Sequence, residues 1–317
     1  AQKNVRQLLF DDKEQLWVGT YSGLKIIDTN KRISWLRSDI NNLKSLSKNS
    51  IKCLFKDKKG SIWIGTYYGG INIWDESNIN FYNITQNQNQ KGLLYNVVSS
   101  IENYKQFVFF GTEGGGITVL DTLKQTFKHI HQKTSKQLLD DNIKSLYVSN
   151  NNKLWIGTFN RGVIIYDLIS NKFEENFLSK ELRSYLNDVG VYTIKQDKYN
   201  NIWLGTFGKG VIKYNLKTKA FKNITYSQDI AKSLSNNLVR TLIIDQNNNV
   251  WVGTGKGLNK IDANGIVTNY FYNINLQYGD DILSIFEDSK TAWLCDFDKN
   301  SIKNKLEEII ALSKDDV

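Results

Sequence analysis

Trp17-Val18-Gly19-Thr20 returns along the chain as Trp63-Ile64-Gly65-Thr66, Trp155-Ile156-Gly157-Thr158, Trp203-Leu204-Gly205-Thr206 and Trp251-Val252-Gly253-Thr254. Phe109-Phe110-Gly111-Thr112 fills the gap in the series, and Trp293-Leu294-Cys295-Asp296 ends it. Successive copies stand 46, 46, 46, 48, 48 and 42 residues apart, and six of the eight tryptophans occupy this one position. Self-similarity at a fixed period of this length marks a repeat architecture.

Working outward from the tetrapeptide, each copy has four parts. A short strand of the form Val/Ile-x-Ser/Thr-Ile/Leu precedes it, as in Ile143-Lys144-Ser145-Leu146, Val191-Tyr192-Thr193-Ile194 and Val239-Arg240-Thr241-Leu242. A polar turn joins the two, as in Asp57-Lys58-Lys59-Gly60 and Asp197-Lys198-Tyr199-Asn200. Its Asp can accept from backbone amides ahead of it, and Gly or Asn tolerates a left-handed position. A Gly-containing turn then leads to a third strand, such as Gly162-Val163-Ile164-Ile165-Tyr166-Asp167, and a more polar fourth strand carries an aromatic, as at Phe127, Phe173 and Phe221. Helical periodicity is absent until residues 302–312, whose spacing suits a short amphipathic helix.

Four antiparallel strands recurring every 46 residues or so predict an all-β fold, a seven-bladed β-propeller over residues 1–300 with a C-terminal tail at 301–317. In that frame Trp is an apolar plate between blades. Gly lets the neighbouring strand approach, and Thr suits a strand end, where it can bond the next turn. Cys53 takes the place of the small Ser or Thr in its copy, and Cys295 that of the Gly.

The combined pattern resembles the two-component regulator propeller repeat. It is carried by Val-x-Ser-Ile, the Asp turn, Trp-x-Gly-Thr and a Ser-Leu-Ser-x-Asn lead-in at Ser45–Asn49 and Ser233–Asn237. The resemblance implies the sensor region of a hybrid two-component regulator, periplasmic or extracellular, of a family many of whose members detect glycan breakdown products. It implies an oligosaccharide ligand, acidic in one version. In the parent chain it also implies a second propeller or an immunoglobulin-like domain, and room for a homodimer. Any kinase activity would lie downstream, so the chain itself is expected not to be an enzyme.

Composition fits a globular chain, with 40% hydrophobic and 23% charged residues and a net charge of +9. The basic residues are scattered singly rather than in runs, which argues against nucleic acid as a partner. No stretch approaches the 18 or so uninterrupted apolar residues of a membrane span. Pro and Met are both absent.

Strand parity places the turn between strands two and three on the same face as the long connections between blades. Variable loops on a rigid scaffold are where binding concentrates. The candidate ligand-binding residues are therefore Tyr21, Tyr67, Tyr68, Glu113, Phe159, Arg161, Phe207, Lys209 and Lys256. Aromatic faces stack on sugar rings, and Arg or Lys pairs with carboxylate or sulfate.

Catalytic and metal signals are sparse, and no catalytic residue, metal site or cofactor is expected. His129 and His131 stand two apart without a Cys or carboxylate cluster of fitting spacing. Gly114-Gly115-Gly116 is followed by no helix and reads as a permissive turn. Adjacent carboxylates at Asp11-Asp12, Asp140-Asp141 and Asp280-Asp281 would point apart on a strand. Two other classes stay open: an interaction scaffold without a small ligand, and a propeller enzyme such as a polysaccharide lyase.

Overall fold

The computed structural model describes residues 5–39, 42, 45–75, 78–86, 91–227, 233–270, 281–287 and 292–295. They form six four-stranded antiparallel sheets, each in sequence order from first strand to fourth, at residues 5–36, 51–84, 98–130, 143–173, 190–224 and 239–270. The fold is an all-β propeller of six four-stranded blades, which corrects the expected seven. Among the described residues the seventh copy gives a two-stranded hairpin, Ser284–Glu287 with Ala292–Cys295. In its sequence Cys295 and Asp296 stand where the other copies have Gly and Thr. The expected C-terminal helix lies outside the described residues. The chain divides into two compact units, one at Leu9–Ile194 and the other holding the residues before Leu9 and from Lys195 on.

Each Thr of the repeat closes the turn that follows it. Thr20, Thr66, Thr112, Thr158, Thr206 and Thr254 donate through Oγ1 to the carbonyls of Gly23, Gly70, Gly116, Gly162, Gly210 and Gly257, at 2.7–3.0 Å. The Asp turn does more than the sequence suggests. Oδ1 of Asp11, Asp57 and Asp197 accepts from the amides two and four residues on. Oδ2 of Asp11, Asp57, Asp197 and Asp245 accepts from the indole of the Trp six residues on, at 2.9 Å in every case. One carboxylate thus satisfies the turn and the only polar atom of the plate. In the fourth copy, Ser149 Oγ takes the indole hydrogen bond at 3.2 Å.

Asp197 is 3% exposed and also accepts from Asn201 Nδ2. Asp197→Ala strands several buried donors together. It is expected to lower the unfolding free energy by about 2–3 kcal/mol in equilibrium denaturation.

The core lies between blades, as the plate reading requires. Trp17 and Leu24 of the first blade pack on Ile51, Leu54, Ile62 and Ile64 of the second. Trp63 of the second packs with Val98, Val108 and Leu120 of the third. In the other unit Trp203 packs with Val239, Leu242 and Val252. The lead-in Leu of several copies completes these clusters, with Leu46, Leu93, Leu138 and Leu234 all buried. A groove of about 440 Å³ beside Phe109 is walled by Phe107, Phe109, Val119 and Tyr166.

The Ser-Leu-Ser lead-in has its own receptor, a buried Asn on the third strand. The amides of Ser47 and Ser235 donate to Asn72 Oδ1 and Asn259 Oδ1 at 2.7 Å, and each Asn amide returns a 3.0 Å hydrogen bond to the serine hydroxyl. Asn49, Asn96, Asp141 and Asn237 tie off the long connections by accepting from Ser38, Gln86, Gln132 and Tyr226. A short helix, Lys180–Tyr185, interrupts the fourth connection, against the expectation of none before the tail. Ser179 Oγ caps it at the Leu182 amide, and Leu182 is fully buried. Among the described residues no helix is long and apolar enough to cross a membrane.

Candidate functional site at the hairpin tips

The turns between strands two and three do share a face with the long connections. Their amides donate to connection carbonyls: Tyr67 to Ser50, Glu113 to Val97, Phe159 to Asn142 and Gly162 to Val189, at 2.8–3.0 Å. This braces each tip against the neighbouring connection, so the side chains they carry stand on a rigid platform.

The second residue of the first strand supplies what the sequence reading missed. In the second blade Ile51 pairs with Thr66 and Cys53 with Gly65, so Lys52 is the extra residue of a β-bulge. The same slip falls at Lys144, between Ile143 and Ser145, and at Arg240, between Val239 and Thr241. A bulge re-aims a side chain that a regular strand would hold in its alternation. Here it turns the cations toward the tips. The x of Val/Ile-x-Ser/Thr is therefore a second column of side chains beside the column that follows each Thr.

Within the Leu9–Ile194 unit the two columns meet. Lys52 Nζ lies 3.1 Å from Tyr67 Oη and 3.0 Å from Glu113 Oε1, and Lys144 Nζ lies 3.1 Å from the same carboxylate oxygen. These ionised side chains are only 14–19% exposed. Lys52 also sits over the Tyr67 ring at 4.9 Å, and Lys144 over Phe159 and Tyr192 at 5.1 and 5.6 Å. Tyr21 and Tyr67 stack at 5.9 Å with 21° between their planes, and Tyr68, at 6.3 Å from Tyr67, is 68% exposed. The tips thus offer exposed aromatic faces directly above two half-buried ammonium groups.

Burial opposes ionisation of Glu113, but the neighbouring Lys52 and Lys144 outweigh it and hold the carboxyl below the ordinary range. Burial likewise opposes the charge on Lys52, and Glu113 with the Tyr67 hydroxyl reverses the balance, raising its pKa. A carboxyl whose folded pKa is depressed contributes stability above its unfolded value, near 4.3, and that contribution is lost as pH falls through the folded pKa. Glu113→Gln should therefore flatten the decline of unfolding free energy on acidification below about pH 4.3, measured by denaturant titration across pH. An unchanged decline would show that the cluster does not hold that carboxylate charged.

The other expected residues divide among lesser roles. Arg161 pairs with Asp188 at 3.2 Å, both largely exposed, which contributes little stability. In the second unit Arg240 binds Asp281 through Nε and Nη2 at 3.0 and 3.2 Å and lies 5.4 Å from the Phe207 ring. The amides of Lys209 and Lys256 donate to Thr206 and Thr254 in their turns.

The carboxylate pairs serve separate structural ends. Asp11 caps its turn while Asp12 pairs with Lys56 at 2.6 Å, and Asp140 and Asp141 bind the amides of Asn142 and Gln132. Thr118 Oγ1 lies 3.2 Å from His129 Nδ1, and the strand ends at Ile130, before His131. Cys53 is buried, which pushes its thiol up to about 12, and its Sγ lies 3.5 Å from the Val98 carbonyl. Ser145 fills the same role, donating to Val191 at 3.0 Å. Among the described residues no three His, Cys, Asp or Glu side chains gather in a way that could hold a metal.

Four stretches of the sequence, residues 45–68, 137–160, 185–208 and 233–256, match the family described as two component regulator propeller. Each runs from the lead-in through the first two strands to the tip, and so contains both columns. No curated protein matches the chain. Among solved structures, the extracellular domain of a hybrid two component system from B. thetaiotaomicron superposes with a TM-score of 0.77 at 22% identity, over 94% of this chain and 39% of that one. The extracellular domain of a one component system from the same organism gives 0.71 at 18% identity, over 94% and 38%. The chain thus spans about two fifths of the length of these extracellular domains. Virginiamycin B lyase from Staphylococcus aureus gives 0.69 at 14% identity, over 94% and 93%. At these identities the likeness is one of fold.

Proposed function

This chain carries two component regulator propeller repeats in four of its blades, and from that premise we propose that it is an extracytoplasmic ligand-sensing part of a two-component regulator and that its ligand is an oligosaccharide. The observation that carries the reading is the cluster Tyr21–Tyr67–Lys52–Glu113–Lys144–Phe159, where exposed rings lie above charged groups held in place before any ligand arrives. Tyr and Phe rings give a sugar an apolar face to stack on, and the ammonium groups supply directed donors to its oxygens. Preorganisation of this kind reduces the ordering cost of binding. Signal output belongs to other parts of the regulator.

Binding rather than turnover is the expected behaviour. The carboxylates of the cluster region are committed: Glu113 to two lysines, Asp140 and Asp141 to backbone amides. Calorimetric titration with a panel of neutral and acidic oligosaccharides should give saturable binding to one class. Tyr67→Ala should weaken it by about tenfold or more, the scale of losing one stacked, hydrogen-bonded ring. Recovery of the sugar intact after long incubation supports a sensor, whereas shortened or unsaturated products establish a lyase or hydrolase. Absence of binding across the panel overturns the oligosaccharide reading.

A further inference from the structure

Resting on the oligosaccharide reading, we infer that the ligand is an acidic sugar, one anionic group of which is read by Lys52 and Lys144, with Glu113 as a built-in counter-charge. The cluster holds two cations and one anion, all less than a fifth exposed, and so retains one net positive charge in a partly desolvated place. An uncompensated charge there is costly, and one anionic group of the ligand removes that cost.

The donors are available for it. Each ammonium carries three N–H groups. Each gives one of them to a single oxygen, Glu113 Oε1, at 3.0 and 3.1 Å. Lys52 commits one further donor to Tyr67 Oη, while Lys144 lies against the faces of Phe159 and Tyr192. Glu113 Oε1 itself is buried, so it faces the lysines rather than an incoming sugar hydroxyl. Its part is to balance one of two like charges that come from the second and fourth blades, either side of its own. With it, one charge is left over for the ligand.

Bulge geometry makes the arrangement specific to the lysines. Lys52 and Lys144 occupy the same repeat position in the second and fourth blades, while the third blade places Ser99 there. Ser99 Oγ donates to the Gly111 and Ile143 carbonyls, so it adds no charge between them. The tyrosines of the neighbouring tips then meet the ring that carries the anion.

The test is calorimetry with an oligogalacturonide, its neutral galactan counterpart and a sulfated galactan, on the wild-type chain and on Lys52→Gln, Lys144→Gln, Glu113→Gln and Lys52→Arg. Each Gln substitution of a lysine is expected to weaken the acidic ligand by about tenfold and the neutral one by less than about threefold, as for loss of one charged partner. Lys52→Arg should keep most of the affinity, which separates loss of charge from loss of fold. Glu113→Gln should tighten the acidic ligand severalfold, because the cluster then carries two unbalanced charges. A carboxylate and a sulfate ester are both monoanions, and the uronide and sulfated arms tell which one the site takes. Equal affinity for neutral and acidic sugars, or weakening of the acidic ligand by Glu113→Gln, overturns this inference and leaves the oligosaccharide reading standing. Failure of every sugar to bind overturns both.

Discussion

Trp17→Ala is expected to lower the unfolding free energy by about 3–5 kcal/mol, the usual range for deleting a buried large aromatic from a core. Trp17 is 1% exposed and meets Trp74 of the next blade edge to face, with ring centroids 5.9 Å apart. Removing it opens a cavity between two sheets that cannot close without moving an entire blade. It also leaves Asp11 Oδ2 without the indole donor at 2.9 Å. Trp17→Phe separates these contributions, keeping most of the plate and losing only the hydrogen bond and the second ring. Its cost should fall near 1–2 kcal/mol. Phe109, buried at the same position of the third copy, shows that the fold accepts Phe there. Denaturant titration with an unchanged slope would measure both values. Equal losses for Ala and Phe would mean that the indole hydrogen bond, not the plate, holds the blades together.

Gly157→Ala should be nearly as damaging, at about 3 kcal/mol, the upper end of overpacking effects. A Cβ there would overlap Ser145 Oγ on its own blade and the backbone carbonyl of Val191 on the first strand of the next. A side chain can turn aside, but a strand carbonyl cannot without breaking its ladder. Ser145→Gly should therefore fail to rescue Gly157→Ala. The parallel Gly65→Ala meets Cys53 Sγ most closely, with the Val98 backbone oxygen farther away at 3.2 Å, and should be milder. If Ser145→Gly fully restores Gly157→Ala, the close approach of successive first strands is not what requires the glycine.

These two positions show what made the fold readable. A plate, a gap for the neighbouring strand and a hydroxyl to close the turn are needed once per blade, so Trp, Gly and Thr repeat at one spacing. Counting one blade for every copy of the tetrapeptide, the decayed last copy included, overcounted them. The last copy keeps Trp293 in its sequence but has Cys295 and Asp296 for Gly and Thr, and among the described residues it gives a hairpin. The helix Lys180–Tyr185 escaped because its six residues are too few to show a period, although Ser179 ahead of Glu181 was a legible cap.

The site was half legible for a similar reason. Tip residues Tyr21, Tyr67, Glu113 and Phe159 stand out because they follow a recognisable Thr. Lys52 and Lys144 look like filler within a strand motif, and nothing in a one-dimensional pattern announces a bulge. Aligned as a column, that position reads Arg6, Lys52, Ser99, Lys144, Tyr192 and Arg240 in the six blades, never an aliphatic residue. That column was the available signal. Arg161, Lys209 and Lys256 drew attention as tip cations, yet the cations joined to the aromatic tips come from the strand beneath.

The most direct test of the account is a crystal structure of the chain with an oligogalacturonide bound. The account predicts a sugar ring against Tyr67 and its carboxylate between the ammonium groups of Lys52 and Lys144. A saccharide bound elsewhere, with those lysines still facing only Glu113, would contradict it.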